Sequence, residues 1–231
     1  MANATKYVDN VNGNNANTGN SEAQAYADIP TAIANITGGG NVIYVQSGSN
    51  YTLAAAVTIT ALSGDTTNGR NRIEGYTTTP GSRDGRPVIT SATNSVNLFE
   101  LANGSSGWDF VSLKMTHTAG TRGSAIAGTG TAGQSYVTVD DCLCDGCAYL
   151  VNGSSRVIDG LTVRASTATN CATGVIINGG SSVYADTLDG CLFYGNTGII
   201  YSANNNFMSL VCTNTVFAGG TKAISDGGAG S

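Results

Sequence analysis

Ser112-Leu113-Lys114-Met115 and Asp141-Cys142-Leu143-Cys144 are two copies of one short pattern, and this pattern decides the fold. Three further segments follow the same alternation: Gly160-Leu161-Thr162-Val163, Gly190-Cys191-Leu192-Phe193 and Asn214-Thr215-Val216-Phe217. In each copy the second and fourth residues are mostly apolar, while the third varies. Alternation with a period of two predicts a short β-strand that buries one of its faces.

Each copy belongs to a unit of three predicted strands. A second apolar strand follows the copy after a turn, at residues 124–126, 149–151, 174–176, 198–200 and 222–224. A third strand precedes the next copy, as at residues 136–139 and 182–185. Three short strands per repeated unit are typical of a parallel β-helix, in which each coil pairs with neighbours about 4.8 Å above and below it. We therefore predict an all-β solenoid.

Stacked coils place like residues at like positions. The alignment assigns one inward position to five residues: Met115, Cys144, Val163, Phe193 and Phe217. It assigns another position to Cys142 and Cys191, so we interpret the cysteines as small core side chains. Cys147 and Cys171 fall at nearly equivalent turn positions on neighbouring coils, where a disulfide is geometrically conceivable. A zinc site is not expected, because the single Cys-x-x-Cys has no second pair and the chain has one His.

The composition excludes several classes of protein. Only 11% of the 231 residues are charged and 32 are Gly, but one Trp, ten Tyr and five Phe argue against disorder. A net charge of −5 with ten Lys and Arg argues against a nucleic-acid partner. The chain shows neither an apolar run long enough for a membrane span nor a leader-like apolar segment at its start.

The sequence divides into a predicted N-terminal segment with a capping helix, residues 1–40, and the coils, residues 41–231. The helix is predicted from an N-cap at Asp28, Pro30 in the first turn and isoleucines at helical spacing, with three glycines to end it. A helix over the open end of a β-helix would protect its core and its edge strand.

The opening of the chain resembles the pectate-lyase-like superfamily of right-handed parallel β-helix proteins. The resemblance rests on four stretches, followed by the coils described above, and covers nearly the whole chain: Tyr7-Val8-Asp9, Val42-Ile43-Tyr44-Val45, Arg72-Ile73-Glu74-Gly75-Tyr76 and Arg86-Pro87-Val88-Ile89. It implies a right-handed, single-stranded parallel β-helix with a short N-terminal capping helix. Members include pectate lyases, polygalacturonases, phage tailspikes and virion decoration proteins, so the fold does not choose a function.

The most enzyme-like feature of the sequence is a predicted ladder of carboxylates. Asp140, Asp159 and Asp189 each stand two residues before an aligned inward position, so stacking would bring them close together. Such a ladder suits a glycosidase pair or a bound calcium ion. Asp is also common in turns, where it caps backbone amides. Neither the lyase nor the polygalacturonase motif is complete in the chain, and His117 is interpreted as a turn residue.

Our leading hypothesis is a structural virion protein: a decoration, fibre or spike component of a phage particle. It would be a homotrimer on the virion surface, bound to other virion proteins, without a cofactor and made in the host cytoplasm. One alternative is a lyase or hydrolase that acts on acidic polysaccharide and uses the Asp ladder. If a signal peptide has been removed, the protein would be extracellular. Another is a non-catalytic glycan-binding module, with Trp108 or Tyr194 stacked on sugar rings.

Overall fold

The structure is a computed structural model. It describes residues 3–60, 62–64, 69–130, 133–153, 158–172, 174–178, 186–203, 210–219 and 222–225. For residues 174–178, 199–203 and 222–225 only the backbone is described. The third strand predicted at residues 182–185 lies outside the described residues.

Three parallel sheets run the length of the molecule, and the chain visits them in turn. Sheet A has eight strands: Thr5–Val8, Val42–Gln46, Asn71–Tyr76, Trp108–Val111, Val137–Asp140, Thr162–Arg164, Asp186–Asp189 and Leu210–Thr213. Sheet B has seven strands: Tyr51–Thr52, Val88–Ser91, Lys114–His117, Leu143–Asp145, Thr167–Thr169, Leu192–Asn196 and Val216–Gly219. Sheet C also has seven strands: Val57–Thr60, Phe99–Ala102, Ile126–Thr129, Val151–Asn152, Gly174–Asn178, Ile199–Ala203 and Lys222–Ser225.

One strand from each sheet makes one coil, and each coil pairs in parallel with the next. A further two-stranded ladder, Gln134–Ser135 with Ile158–Asp159, lies at the corner between sheets C and A. In strands of sheet A such as Val42–Gln46, buried residues alternate with more exposed ones, and the core contains Ile43, Ile73 and Phe110 of this sheet. The predicted parallel β-helix is confirmed.

The register of one predicted repeat was wrong. Val163 lies in sheet A, where it pairs with Val139 and Leu188, and not in sheet B with Met115 and Cys144. The residue stacked between Cys144 and Phe193 is Ala168. Both segments alternate in the same way, so periodicity alone did not distinguish the strand before the A–B corner from the strand after it.

The first 40 residues contribute a strand as well as a cap. Thr5–Val8 pairs in parallel with Val42–Gln46 and opens sheet A. Helix α1, Ile29–Ala34, begins at Asp28, whose carboxylate accepts a hydrogen bond from the Thr31 amide at 2.7 Å. The helix packs against strands of the first coil and buries Ile29, Ala32 and Ile33. The capping helix is therefore observed where the sequence predicted it.

The cysteines behave as core side chains, with one exception. Cys142, Cys144, Cys147, Cys171 and Cys191 are buried, and Cys212 is exposed in the last coil. All six are free thiols in the structure, so the Cys147–Cys171 disulfide that the sequence left open is not formed there. Hydrogen bonds with the thiols of Cys147 and Cys171, together with burial, raise the pKa of Cys144 well above its usual value.

Candidate functional site

The outward surface of sheet A carries a row of side chains that are mostly polar, with the apolar Val111 between Glu74 and Asp140. Register places Tyr44 beside Glu74, and further along the same row Asp140, Arg164 and Asp189 on three successive coils. The row follows from alternation, because Ile43 and Val45 point inward and leave Tyr44 outside. We call the surface around Glu74, Asp140 and Arg164 the charged face.

Asp140 is held by two arginines. Its Oδ2 accepts hydrogen bonds from Arg83 Nη1 and Arg164 Nη2, each at 2.9 Å. The residue is only 4% exposed, while the Arg164 side chain is 53% exposed. The hydrogen bond that Arg164 donates to Asp140 raises the pKa of Arg164. Both guanidinium groups bind the same oxygen, Oδ2, and hold the carboxylate in place.

Glu74 is a second carboxylate committed to ion pairs. Its Oε2 accepts a hydrogen bond from Arg72 Nη1 at 3.1 Å, and Arg83 Nε lies 4.0 Å away. Its Oε1 is buried and has no hydrogen-bond partner among the residues that the structure describes. Burial, with a smaller effect of the Glu74 charge, raises the pKa of the Tyr44 hydroxyl on the neighbouring coil.

Residues 77–87 form a loop that reaches across the charged face, and we call this loop the strap. Asp84 closes it by accepting hydrogen bonds from the amides of Thr77 at 2.6 Å and Thr78 at 3.0 Å. Arg83, at a φ of 56°, reaches Asp140. Arg86 Nε donates to the Asp141 carbonyl at 2.9 Å and its guanidinium also pairs with the Asp141 carboxylate. The strap therefore ties coils that are distant in sequence.

The predicted carboxylate ladder is wrong in register. Asp140 and Asp189 share a row, but Arg164 stands between them. Asp159 lies elsewhere, at the corner between sheets C and A, where it pairs with Ser135. The shift has the same origin as the misplaced Val163, because the sequence alignment counted back from the wrong inward position.

Asp189 is also a poor candidate for a general acid. Its Oδ1 accepts hydrogen bonds from Thr213 Oγ1 at 2.6 Å and Asn214 Nδ2 at 3.3 Å. These bonds lower its pKa, whereas a general acid at neutral pH needs a raised one. With Arg164 between the two aspartates, the row lacks the open space for water that an inverting pair requires.

The two aromatic candidates occupy different environments. Trp108 is fully buried and its indole nitrogen donates to the Leu62 carbonyl at 2.7 Å, so the prediction that it stacks on a sugar was wrong. Tyr194 is 46% exposed on the outer surface of sheet B, away from the charged face, and its sugar-binding role stays a prediction.

His117 is the last residue of a strand, and not a turn residue as predicted. It is 4% exposed; its Nδ1 accepts from the Ala119 amide at 3.3 Å, so Nε2 donates to the Val96 carbonyl at 3.1 Å. Burial lowers its pKa. These bonds secure a corner of the coil.

Sequence reasoning did not group the arginines into a site. The alternation in Asn71-Arg72-Ile73-Glu74 already indicates that Arg72 and Glu74 share a face, and this signal was available. Arg83 carries no such signal, because only the path of the strap brings it to Asp140.

Within the described residues, no group of three or more His, Cys, Asp or Glu side chains is arranged to hold a metal ion. The described part of the chain also contains no helix long and apolar enough to cross a membrane.

Comparisons with known proteins concern the fold. No family model matches the chain, and no curated protein matches it. Among solved structures, it is similar to a rhamnogalacturonan lyase, with 12% identity and a TM-score of 0.65 over 95% of this chain and 58% of that one. It is also similar to a pectin methylesterase from Aspergillus niger, with 15% identity and a TM-score of 0.55 over 97% of this chain and 69% of that one. The chain has a pectate-lyase-like parallel β-helix fold.

Proposed function

We propose that the chain is a glycan-binding β-helix module that holds a polysaccharide on its charged face without cleaving it. The observation that carries the proposal is the pairing of Asp140 with two arginines and of Glu74 with Arg72. Each of these carboxylates accepts a hydrogen bond from at least one guanidinium group, so the arginines and carboxylates hold one another in fixed positions on this face.

The pattern of charges suits sugar hydroxyls. Each sugar hydroxyl can both donate and accept a hydrogen bond. A protein surface on which acceptors alternate with donors can therefore bind neighbouring hydroxyls of one sugar chain. Asp140 is buried, so the exposed donor Arg164 and the exposed acceptor Asp189, on successive coils, supply this alternation. The Tyr7 and Tyr44 rings, with centroids 5.6 Å apart, extend the same surface with aromatic area. The two structural neighbours are named for rhamnogalacturonan and pectin, which are polysaccharides.

The test compares Arg164→Gln with Arg122→Gln on an array of neutral and acidic glycans. Arg164 is exposed on the charged face, whereas Arg122 bonds to the Asn170 carbonyl elsewhere. We expect Arg164→Gln to weaken binding about tenfold, the usual range for loss of a charge-assisted hydrogen bond, and Arg122→Gln to bind normally. Equal affinities for the two variants would contradict the site.

The same glycans, incubated with the wild-type protein, test the absence of cleavage. We expect no new reducing ends and no unsaturated products. Either product would overturn the non-catalytic proposal and favour the enzyme alternative, in which Asp140 and Asp189 would then be the carboxylates to replace by Asn.

The role of a virion component is a separate proposal. It draws on the low charge of the chain and on coils that satisfy one another's backbone. The two structural neighbours are named for polysaccharides, so they do not support a role in a virion. It requires the protein at stoichiometric copy number in purified particles, and a trimer by light scattering; its absence from particles would refute it.

A further inference from the structure

A pocket of about 700 Å³ lies at the corner between sheets C and A, beside the charged face. Its lining residues are small or polar except for one aromatic ring: Gly64, Gly69, Arg70, Ser106, Gly107, Ser135 and Tyr136. We call it the corner pocket. Its volume is in the range of pockets that hold one or two sugar-sized ligands.

Tyr136 has a left-handed backbone conformation, which is unfavourable for a residue with a side chain. Its φ is 58°, and the residues stacked above and below it, Gly107 and Gly160, have φ values of 66° and 68°. A left-handed backbone costs a residue with a Cβ about 1–2 kcal/mol, which is why glycine is usual there. The Tyr136 side chain is nevertheless 44% exposed, so it does not recover that cost by entering the core. Such a residue at a pocket rim is a candidate for binding.

Arg70 fastens the tyrosine in place. Its Nε pairs with Asp109 at 2.6 Å and its Nη2 bonds to Thr138 Oγ1 at 3.0 Å and to the Tyr136 carbonyl. Gly107 stands between Arg70 and Tyr136, and a Cβ there would lie 2.4 Å from the Gly64 carbonyl oxygen. These contacts fix the backbone that carries the Tyr136 ring, so less conformational entropy is lost when a ligand stacks on it.

The charge of the pocket favours an uncharged ligand. The Arg70 guanidinium is already paired with Asp109, so it offers hydrogen bonds rather than net positive charge. The chain as a whole carries a net charge of −5, which repels polyanions. An aromatic ring beside hydroxyl and guanidinium donors matches a pyranose, which has an apolar C–H face and a polar rim.

We propose that the corner pocket binds one neutral pyranose unit of a glycan, with Tyr136 against its apolar face and Arg70 and Ser135 beside its hydroxyls. This inference rests on the proposed glycan-binding function and adds a second contact point to it. Because the pocket and the charged face use different residues, each can fail without the other.

The experiment measures binding of neutral and acidic glycans on an array, then affinities by saturation-transfer NMR with the best neutral oligosaccharide. Tyr136→Gly removes the ring and relieves the backbone, so we expect about tenfold weaker binding with a melting temperature unchanged or raised. Tyr136→Phe keeps the ring and should keep the affinity. Asn170→Gly, at a φ of 55° on another corner, makes a matched backbone change and should bind normally.

Three results would overturn the proposal. The wild-type protein could retain only acidic glycans, or Tyr136→Gly could bind as tightly as the wild type. Tyr194→Ala alone could lower the affinity, which would place the sugar on sheet B. Loss of binding in Arg164→Gln with no effect of Tyr136→Gly would leave the charged face as the site and remove the corner pocket.

Discussion

Single residues with a left-handed backbone turn the chain from sheet A into sheet B. Five stacked positions share this conformation, with φ values between 46° and 61°: Ser112, Asp141, Ala165, Gly190 and Asn214. The amides of the first four donate to carbonyls of the next coil, as Ala165 does to Asp189 at 2.9 Å. The corner is therefore a column of identical conformations occupied by unlike residues, only one of which is glycine.

At Ala165 the left-handed conformation is strained, and no side-chain hydrogen bond offsets the strain. It is exposed, and it lacks the polar side chain that helps Asp and Asn tolerate a left-handed backbone. We expect Ala165→Gly to raise the free energy of unfolding by about 0.5–1 kcal/mol, since relief of the left-handed strain exceeds the added entropy of the unfolded chain. Chemical denaturation measures the change.

Ala168→Gly is the matched control. Ala168 is a fully buried strand residue three positions later, so the same substitution removes a packed methyl and loosens a strand. It should lower the free energy of unfolding by about 1 kcal/mol or more. A change of the same sign in both variants would show that the column is not strained.

At the scale of elements, the strap is the insertion that makes the charged face. It leaves sheet A after Tyr76 and returns to sheet B at Val88, and it brings Arg83 and Arg86 over coils that come later in the chain. Hydrogen bonds from the Thr77 amide and the Thr78 hydroxyl lower the pKa of Asp84. Because the pKa is depressed in the folded protein, the anchoring is present at neutral pH and is lost only in strong acid.

Asp84→Ala should release the strap without unfolding the coils. We expect proteinase K to cut within residues 77–87 several times faster than in the wild type, because the loop loses both backbone anchors. Asp145→Ala is the comparison, since Asp145 accepts a bond from the Asn170 side chain outside the strap. Equal cleavage of all three proteins would mean that the arginine pairs alone hold the strap.

At the scale of the whole molecule, stacking keeps thiols out of water. Five cysteines lie in the interior of successive coils and one, Cys212, is exposed. Burial raises the pKa of the Cys142 thiol to about 12. Thiolate is the reactive form, so the interior thiols should be inert in the native protein.

Titration with a thiol reagent should therefore show one fast-reacting group in the native protein and six in denaturant. Cys212→Ser should abolish the fast phase and leave the slow ones. A total of four in denaturant would reveal a disulfide, and Cys147–Cys171 is the pair that the sequence left open. Several fast groups in the native protein would contradict the stacked interior.

The sequence alone determined the class of fold, the capping helix and the burial of most cysteines. These features depend on local chemistry: alternation follows from the pleat of a strand, and the Asp28 cap from the hydrogen bonds of one helix turn. The composition, too, was sufficient to separate a stacked solenoid from a disordered chain.

Which side chains meet across the coils depends on the three-dimensional path of the chain. Ala168 occupies the position between Cys144 and Phe193. In the sequence its small side chain marks an inward position less clearly than the larger Val163 does, so the alignment chose Val163. A one-strand error in the alignment then placed Asp159 in the row that Arg164 occupies. Lateral register depends on corner conformations and on insertions such as the strap, and these act between coils, where local periodicity carries no information.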